Sequence, residues 1–284
     1  MSEDLLKVKN ILKARGCSNR TINNYLSSLN RFKNYFKEQD VSKFNENNIL
    51  EYLKINFIGL DMSPATINLN RAAIKYYYLV NFNKKFNDTL LPYCKTASKF
   101  PPILSKKDIL YLIKNTKNLM HKIWLCLGFG SGLRVSEVAN LKTSDFSYRL
   151  RKIKIYGKGG KERYVPFPSY THDLLLKYYK LNKDRIIASG GYIFPKAHRD
   201  SSSNHIHDET IKSFFYKIKK KYKLNKDMSF HTLRHSFATE FIKNGGDLWK
   251  LKDILGHSSI NTTTVYLHMA ESFNEIHSPL DDDI

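Results

Sequence analysis

Residues 229–266 read SFHTLRHSFATEFIKNGGDLWKLKDILGHSSINTTTVY. Ser229 stands where a helix N-cap stands, and the chain from His231 to Tyr266 reads as helical. Within it, Asp247 to Leu255 forms a helix that Gly256 ends as a C-terminal glycine does, which puts His257 at the start of a loop. His231 and Arg234 lie three apart and so project from one helical face. The run from Ser259 to Val265 then carries Tyr266 back, nine residues after His257.

Upstream, Lys152 to Tyr156 alternates charged and apolar residues, Gly157-Lys-Gly-Gly160 turns, and Glu162 to Pro166 returns. That is a β-hairpin with Lys158 at its tip, free to swing into a cleft as a lysine within a strand is not. Helices are expected over Lys106–Lys117, His121–Gly130, Leu174–Leu181 and Thr210–Lys223, with a short extended piece at Gly190–Pro195. The first ninety residues read as helices throughout. Leu5, Val8, Ile11 and Leu12 repeat at helical spacing, and Gly16 then Ser18 supply a stop and a cap. Thr21 to Phe36 carries one apolar stripe, Glu46 to Ile55 is a short helix, and a fourth runs from Ser63-Pro64 to about Val80. Prolines 92, 101 and 102 mark a linker. The fold class is mainly α with a small β-sheet (α+β): a helical domain over residues 1–91, a linker over 92–104, and a second domain over 105–284.

The 284 residues carry 47 Lys plus Arg against 26 Asp plus Glu, a net charge of +21. Both parts are basic, with 16 basic and 8 acidic side chains in residues 1–100 and 31 and 18 in the remainder. Such a surplus suits phosphate backbones or anionic membrane surfaces, and its spread favours a protein that surrounds its partner over one that touches it with an arm. The excess of Lys over Arg also follows from AT-rich coding, so charge alone does not decide for nucleic acid. Cys17, Cys94 and Cys126 are widely separated, which excludes a disulfide framework and a CxxC zinc site. No apolar run is long enough for a membrane span, and the first ten residues are too polar for a signal peptide, so a soluble cytoplasmic protein is expected. The group His198, His205, His207 and Asp208 fits no common zinc spacing; it reads better as a basic loop leading to a DNA-facing helix.

Two arginines (Arg134, Arg234), two histidines (His231, His257), Lys158 and Tyr266, with no carboxylate cluster, suit phosphoryl transfer without a metal. Guanidinium forks bind paired phosphate oxygens, a lysine supplies a proton to the leaving oxygen, and a phenol near cations is a plausible nucleophile. Lys161 competes with Lys158 for its role, and Glu137 reads as a structural partner that orients the site. Arg71 and Lys75, four apart on one helical face, are divided between a solvated surface and a phosphate contact; Arg199 and Lys219 are further DNA-contact candidates.

The segments GLRVSE (132–137), GKGGKERYVP (157–166), HTLRHSFAT (231–239), LGHSS (255–259) and TTTVY (262–266), in this order and spacing, resemble the tyrosine recombinases, which include Xer recombinases and phage or integron integrases. The resemblance spans nearly the whole chain, and it makes the first domain similar to that family's SAM-like core-binding domain. It implies that Arg134 and Arg234 hold the scissile phosphate, Lys158 protonates the 5′-oxygen, His231 assists as general acid/base and His257 bonds the phosphate. Tyr266 would attack to leave a 3′-phosphotyrosyl link, with no ATP, metal or other cofactor. The implied partner is double-stranded DNA with a near-palindromic site, exchanged through a Holliday junction by a homo-tetramer or a hetero-pair with a second recombinase. Leu267, where a small polar residue is usual, is a minor departure, and the nearby His268 reads as structural. A non-catalytic DNA-binding protein and a type IB topoisomerase are the alternatives; the intact six-residue set disfavours the first, the helical first domain the second.

Overall fold

The computed structural model describes residues 2–37, 39–95, 100–157, 162–196 and 204–271. The chain divides into two units, Met1–Ser98 and Lys99–Ile284.

The first unit is built from four α-helices: α1 (Glu3–Ala14), α2 (Asn19–Tyr35), α3 (Glu46–Leu53) and α4 (Pro64–Phe82). Small polar side chains start three of them. Ser18 accepts from the Thr21 N–H, Asn45 from those of Asn47 and Asn48, and Ser63 from that of Thr66, so N–H groups the helices leave unpaired are satisfied. The α3 helix does not stop at its end but widens into a π-helical turn, Lys54–Ile58, which periodicity had not signalled. The apolar stripes meet in a core of Leu5, Val8, Leu29, Phe32, Tyr52, Phe57, Ile74 and Tyr78, all nearly inaccessible. Truncating a core aromatic such as Phe32 to alanine costs about 3–5 kcal/mol. Asp4, Lys33 and Tyr77 tie α1, α2 and α4 together: Lys33 Nζ and Tyr77 Oη each donate to Asp4 Oδ2 at 2.6 Å. Burial alone would raise the Asp4 carboxyl, but the bonds from Lys33, Ser2 and Tyr77 hold it well below the usual carboxylate range.

The second unit follows with α5 (Lys106–Asn115), α6 (Leu119–Gly130), α7 (Val135–Asn140), a three-stranded sheet, then α8 (Ser169–Ala188), α9 (Asp208–Lys221), α10 (Phe230–Lys243), α11 (Leu248–Leu255) and α12 (Asn261–Glu271). The sheet joins β1 (Phe146–Ser147), β2 (Lys152–Tyr156) and β3 (Glu162–Pro166) in antiparallel order, with Ile153 opposite Val165 and Ile155 opposite Arg163. The hairpin strands match their expected limits. The two-residue β1 and the six-residue α7 are too short for periodicity to signal, and α8 extends well beyond the expected 174–181 because its ends lack the central apolar repeat. The described residues of 92–104 contain no helix or strand.

The centre of this unit is α6, apolar on nearly all sides, as a fully enclosed helix must be. It crosses α10 closely at Gly128, where an added Cβ would fall 2.9 Å from Leu233 Cδ1. That contact fixes α10, whose Thr232, Arg234, Ser236 and Thr239 are buried despite their polarity. Glycines 132 and 256, both in the left-handed region at φ +63°, turn the chain into α7 and out of α11.

Candidate active site

Four helices and one strand converge on Tyr266. Arg234 comes from α10 and is completely inaccessible to solvent. Its Nη1 donates to the carbonyl of Gly132 at 2.8 Å and its Nη2 to that of Leu255, so two main-chain turns hold it in place. Its Nε has no hydrogen-bond partner among the described residues. A buried N–H left unpaired costs about 1–3 kcal/mol, which marks a donor awaiting an acceptor. Burial, then the neighbouring Arg134, lower the Arg234 guanidinium to about 9, which leaves it charged at neutral pH.

Arg134 caps α7, and its half-buried side chain donates from Nη1 to Glu137 Oε1 at 2.9 Å while its backbone N–H reaches Oε2 at 2.8 Å. Glu137 also receives Arg163 Nη2 at 2.8 Å and lies 3.9 Å from Arg234 Nη1. Burial would raise this carboxyl; the bonds from Arg163 and Arg134 overcome that and hold it below its ordinary value. Glu137 thus orients the site as an ionised partner. Three guanidiniums around one carboxylate leave two positive charges uncompensated within the cluster.

Tyr266 lies on α12 and is only 4 % exposed. Its Oη is 2.8 Å from His235 Nδ1, and its ring lies nearly parallel to that of His257, the planes 19° apart. Burial raises its phenol, against the lowering pull of Arg234 and Arg134. His257 follows Gly256; its Nδ1 is 3.0 Å from Thr263 Oγ1 and its Nε2 is 3.4 Å from Arg234 Nη2. Burial, then Arg234 and Arg134, push it down to about 4; burial and the neighbouring His231 do the same for His235. His231 lies in the first turn of α10, one turn before His235, ring centroids 4.6 Å apart, and is lowered by burial, then by Arg234 and Arg134. All three histidines are thus disfavoured as cations beside the arginines.

Arg134, His231, Arg234, His257 and Tyr266 are therefore brought together. Lys158 lies outside the described residues, as do Lys161, His198 and Arg199. Sequence reasoning missed two members of the group. Arg163 of β3 bonds Glu137 and, through Nε, the carbonyl of Ile254 at 2.8 Å, joining the hairpin to α7 and α11. His235 contacts the phenol; its signal was its place one helical turn after His231. Arg71 is corrected: it is buried, donating to Asp88 and the Leu91 carbonyl with Tyr93 packed 3.9 Å from its face, so its guanidinium is committed inside the first unit rather than offered to a phosphate. Lys75 pairs with the same Asp88. Lys219 is half-buried and donates to the Lys226 carbonyl at 2.7 Å. Among the described residues no group of three His, Cys, Asp or Glu is placed to hold a metal ion, and no helix is long and apolar enough to cross a membrane.

Residues 102–272 match the phage integrase family, and residues 5–87 match a phage integrase N-terminal SAM-like domain. The chain belongs to the phage integrase family. This integrase-family chain is 31 % identical over 275 residues to the tyrosine recombinase XerD of Oceanobacillus iheyensis, covering 91 % of this chain and 90 % of that one. It is 28 % identical over 274 residues to the tyrosine recombinase XerC of Listeria welshimeri, with 90 % and 89 % covered. Among solved structures, the XerH site-specific recombinase bound to palindromic difH substrate in a post-cleavage complex shares the fold with TM-score 0.75 at 24 % identity, covering 92 % of this chain and 79 % of that one. A lambda integrase dimer bound to a COC′ core site does so with TM-score 0.74 at 16 % identity, with 99 % of each chain covered. The expected tyrosine recombinase family and mainly helical two-part fold are thus met.

Proposed function

We propose that the chain is a site-specific DNA recombinase that breaks and rejoins strands through Tyr266. The observation that carries the reading is a buried phenol beside Arg234, an arginine held by two carbonyls yet with an unpaired Nε, in a cluster with two uncompensated positive charges. A phosphodiester brings one negative charge and gains a second in its pentacoordinate transition state, so the surplus stabilises the transition state more than the ground state. Arg134 and Arg234 hold the nonbridging oxygens bidentately and His257 Nε2, beside Arg234, adds a contact. Tyr266 Oη attacks phosphorus, the bond to the 5′-oxygen breaks, and Lys158 delivers the proton that oxygen needs. The 3′-phosphotyrosyl ester conserves the bond energy, so a 5′-hydroxyl from a partner strand reverses the step without ATP. Strand exchange between two duplexes then proceeds through a Holliday junction in a tetramer on a near-palindromic site, made by this chain alone or with a second recombinase. The chain serves chromosome-dimer resolution or mobile-element integration or excision; its tyrosine recombinase relatives and its family match support the strand-breaking chemistry that each of these uses.

The test is covalent capture. The protein is mixed with sheared DNA of its source, stopped with detergent, and the attached fragments are sequenced beside a Tyr266→Phe control. Fragments that share a short near-palindromic motif and are absent from the control are expected. Tight, salt-sensitive DNA binding with no adduct would overturn the reading in favour of a non-catalytic DNA-binding protein.

A further inference from the structure

The group that touches the nucleophile's oxygen is His235. Its Nδ1 lies 2.8 Å from Tyr266 Oη, within direct proton-transfer distance, whereas no hydrogen bond joins His231 to the phenol among the described residues. His235 is held there by α10, the helix that Gly128 brings against α6 and that also carries Arg234. The surroundings decide which way the proton lies. Facing His235 are His231 and Arg234 from its own helix, His257 from the loop after α11, and Tyr266 from α12. Among the described residues the groups that act on it are positive or neutral, so an added proton on its ring is disfavoured. In the tautomer with its proton on Nε2, the neutral imidazole presents the Nδ1 lone pair to the phenol and accepts its hydrogen bond.

Resting on the recombinase reading above, we propose that His235 is a further catalytic residue, the general base whose Nδ1 takes the proton from Tyr266 Oη as that oxygen attacks the DNA phosphate. The step balances within the site. The Oη–H bond breaks as Nδ1–H forms, the Oη–P bond forms as the P–O5′ bond breaks, and the leaving oxygen takes its proton from a separate acid. In the rejoining step the 5′-hydroxyl attacks, the phenolate departs, and His235 Nδ1–H returns the proton. The arriving phosphate makes the base competent: its negative charge lies against Arg234, offsets that repulsion, and favours the imidazolium that free protein disfavours. His231, one turn earlier on the helix and without a bond to the phenol, is left to serve the phosphate rather than the nucleophile.

The experiment uses the full chain and the duplex recovered by covalent capture, nicked so that cleavage is trapped. Single-turnover cleavage is followed from about pH 5.5 to about pH 9 for the unaltered protein, His235→Ala and His235→Asn, with thermal unfolding and DNA affinity measured in parallel. Both variants are expected to bind DNA with unchanged affinity but cleave about 10²-fold or more slowly at neutral pH, with rates that keep climbing with pH. Added imidazole should restore part of the rate to His235→Ala and none to His235→Asn, whose amide fills the space. Cleavage within about threefold of the unaltered protein, or faster, would overturn the assignment; faster cleavage would make the bond a restraint on the phenol. A loss that neither pH nor imidazole moves would overturn it too. Should either variant not fold, the unaltered protein decides: slower cleavage in D2O is expected, and equal rates in the two solvents would sink the assignment. Failure of the unaltered protein to cleave removes the recombinase reading itself, a result distinct from variants that cleave normally.

Discussion

Two arginines are almost equally inaccessible in this chain, and they serve opposite ends. Arg71, in the first unit, spends its donors on Asp88 and the Leu91 carbonyl, and Tyr93 covers its face. Arg234, in the second, is anchored by carbonyl oxygens of Gly132 and Leu255 and, among the described residues, has a carboxylate no nearer than 3.9 Å and an unpaired Nε. The first has a carboxylate in direct contact and the second does not. Burial of a charge is therefore no guide to its role until its partners are accounted for: a carboxylate in contact fastens chain to chain, while a buried guanidinium with no close carboxylate and an unpaired N–H anticipates an anion.

The comparison breaks most decisively at Arg234. Arg234→Gln is expected to slow strand cleavage by about 10³-fold, read by single-turnover kinetics, while thermal stability holds or rises because a poorly paired buried charge has been removed. Arg71→Met should do the reverse. It should destabilise the first unit by about 2–3 kcal/mol in denaturant titration and leave the cleavage rate at saturating DNA unchanged. A cleavage defect of tenfold or more in Arg71→Met would return that residue to the DNA interface.

The histidines sharpen the same contrast. His235 and His257, each pushed down to about 4 from 6.5, support the folded chain fully above about pH 6.5 and lose that support progressively as pH falls toward 4. Because Arg234 adds to the depression that burial causes in both, a DNA phosphate against that guanidinium should raise both. Histidine resonances followed by NMR titration with and without DNA would report it, and unmoved values would mean that no phosphate reaches Arg234. The smallest effect belongs to Lys75, which shares Asp88 with Arg71 from a more accessible position. Lys75→Ala should leave the midpoint of the same denaturant titration nearly unmoved, since Asp88 is 71 % exposed and solvent screens the pair.

Much of this arrangement could be read from local spacing. Ser18, Ser63 and Gly256 stand where they cap or end helices in the structure, and the Lys152–Tyr156 and Glu162–Pro166 strands pair as alternation implied. His231 and Arg234 do share a helix, and Tyr266 returns to them. What local spacing could not convey is partnership across space. Arg71 looked exposed because Lys75 lies four residues away, and the carboxylate that captures both stands beyond the end of α4. Arg163 is one alternating position of a strand until Glu137, 26 residues earlier, and Ile254, 91 residues later, are placed against it. His235 was in view within HTLRH, yet only the crossing of α10 and α12 puts its ring on the phenol. The π-helical turn at Lys54–Ile58 has no repeat of its own to reveal it.

The anchors of Arg234 belong to the main chain. Every amino acid carries a carbonyl oxygen, so no single replacement at Gly132 or Leu255 deletes the atom that receives the guanidinium. Genetic change can reach those contacts only by moving the backbone itself. At Gly132 an added Cβ would stand 2.6 Å from Phe237 Cδ1, and at Gly256 it would stand 2.9 Å from Arg163 Cδ, both at a φ that side chains rarely adopt. A lineage drifting neutrally would be expected to scatter changes over the surface of this unit while those two positions stay fixed, guarding an arginine that lies elsewhere in the chain.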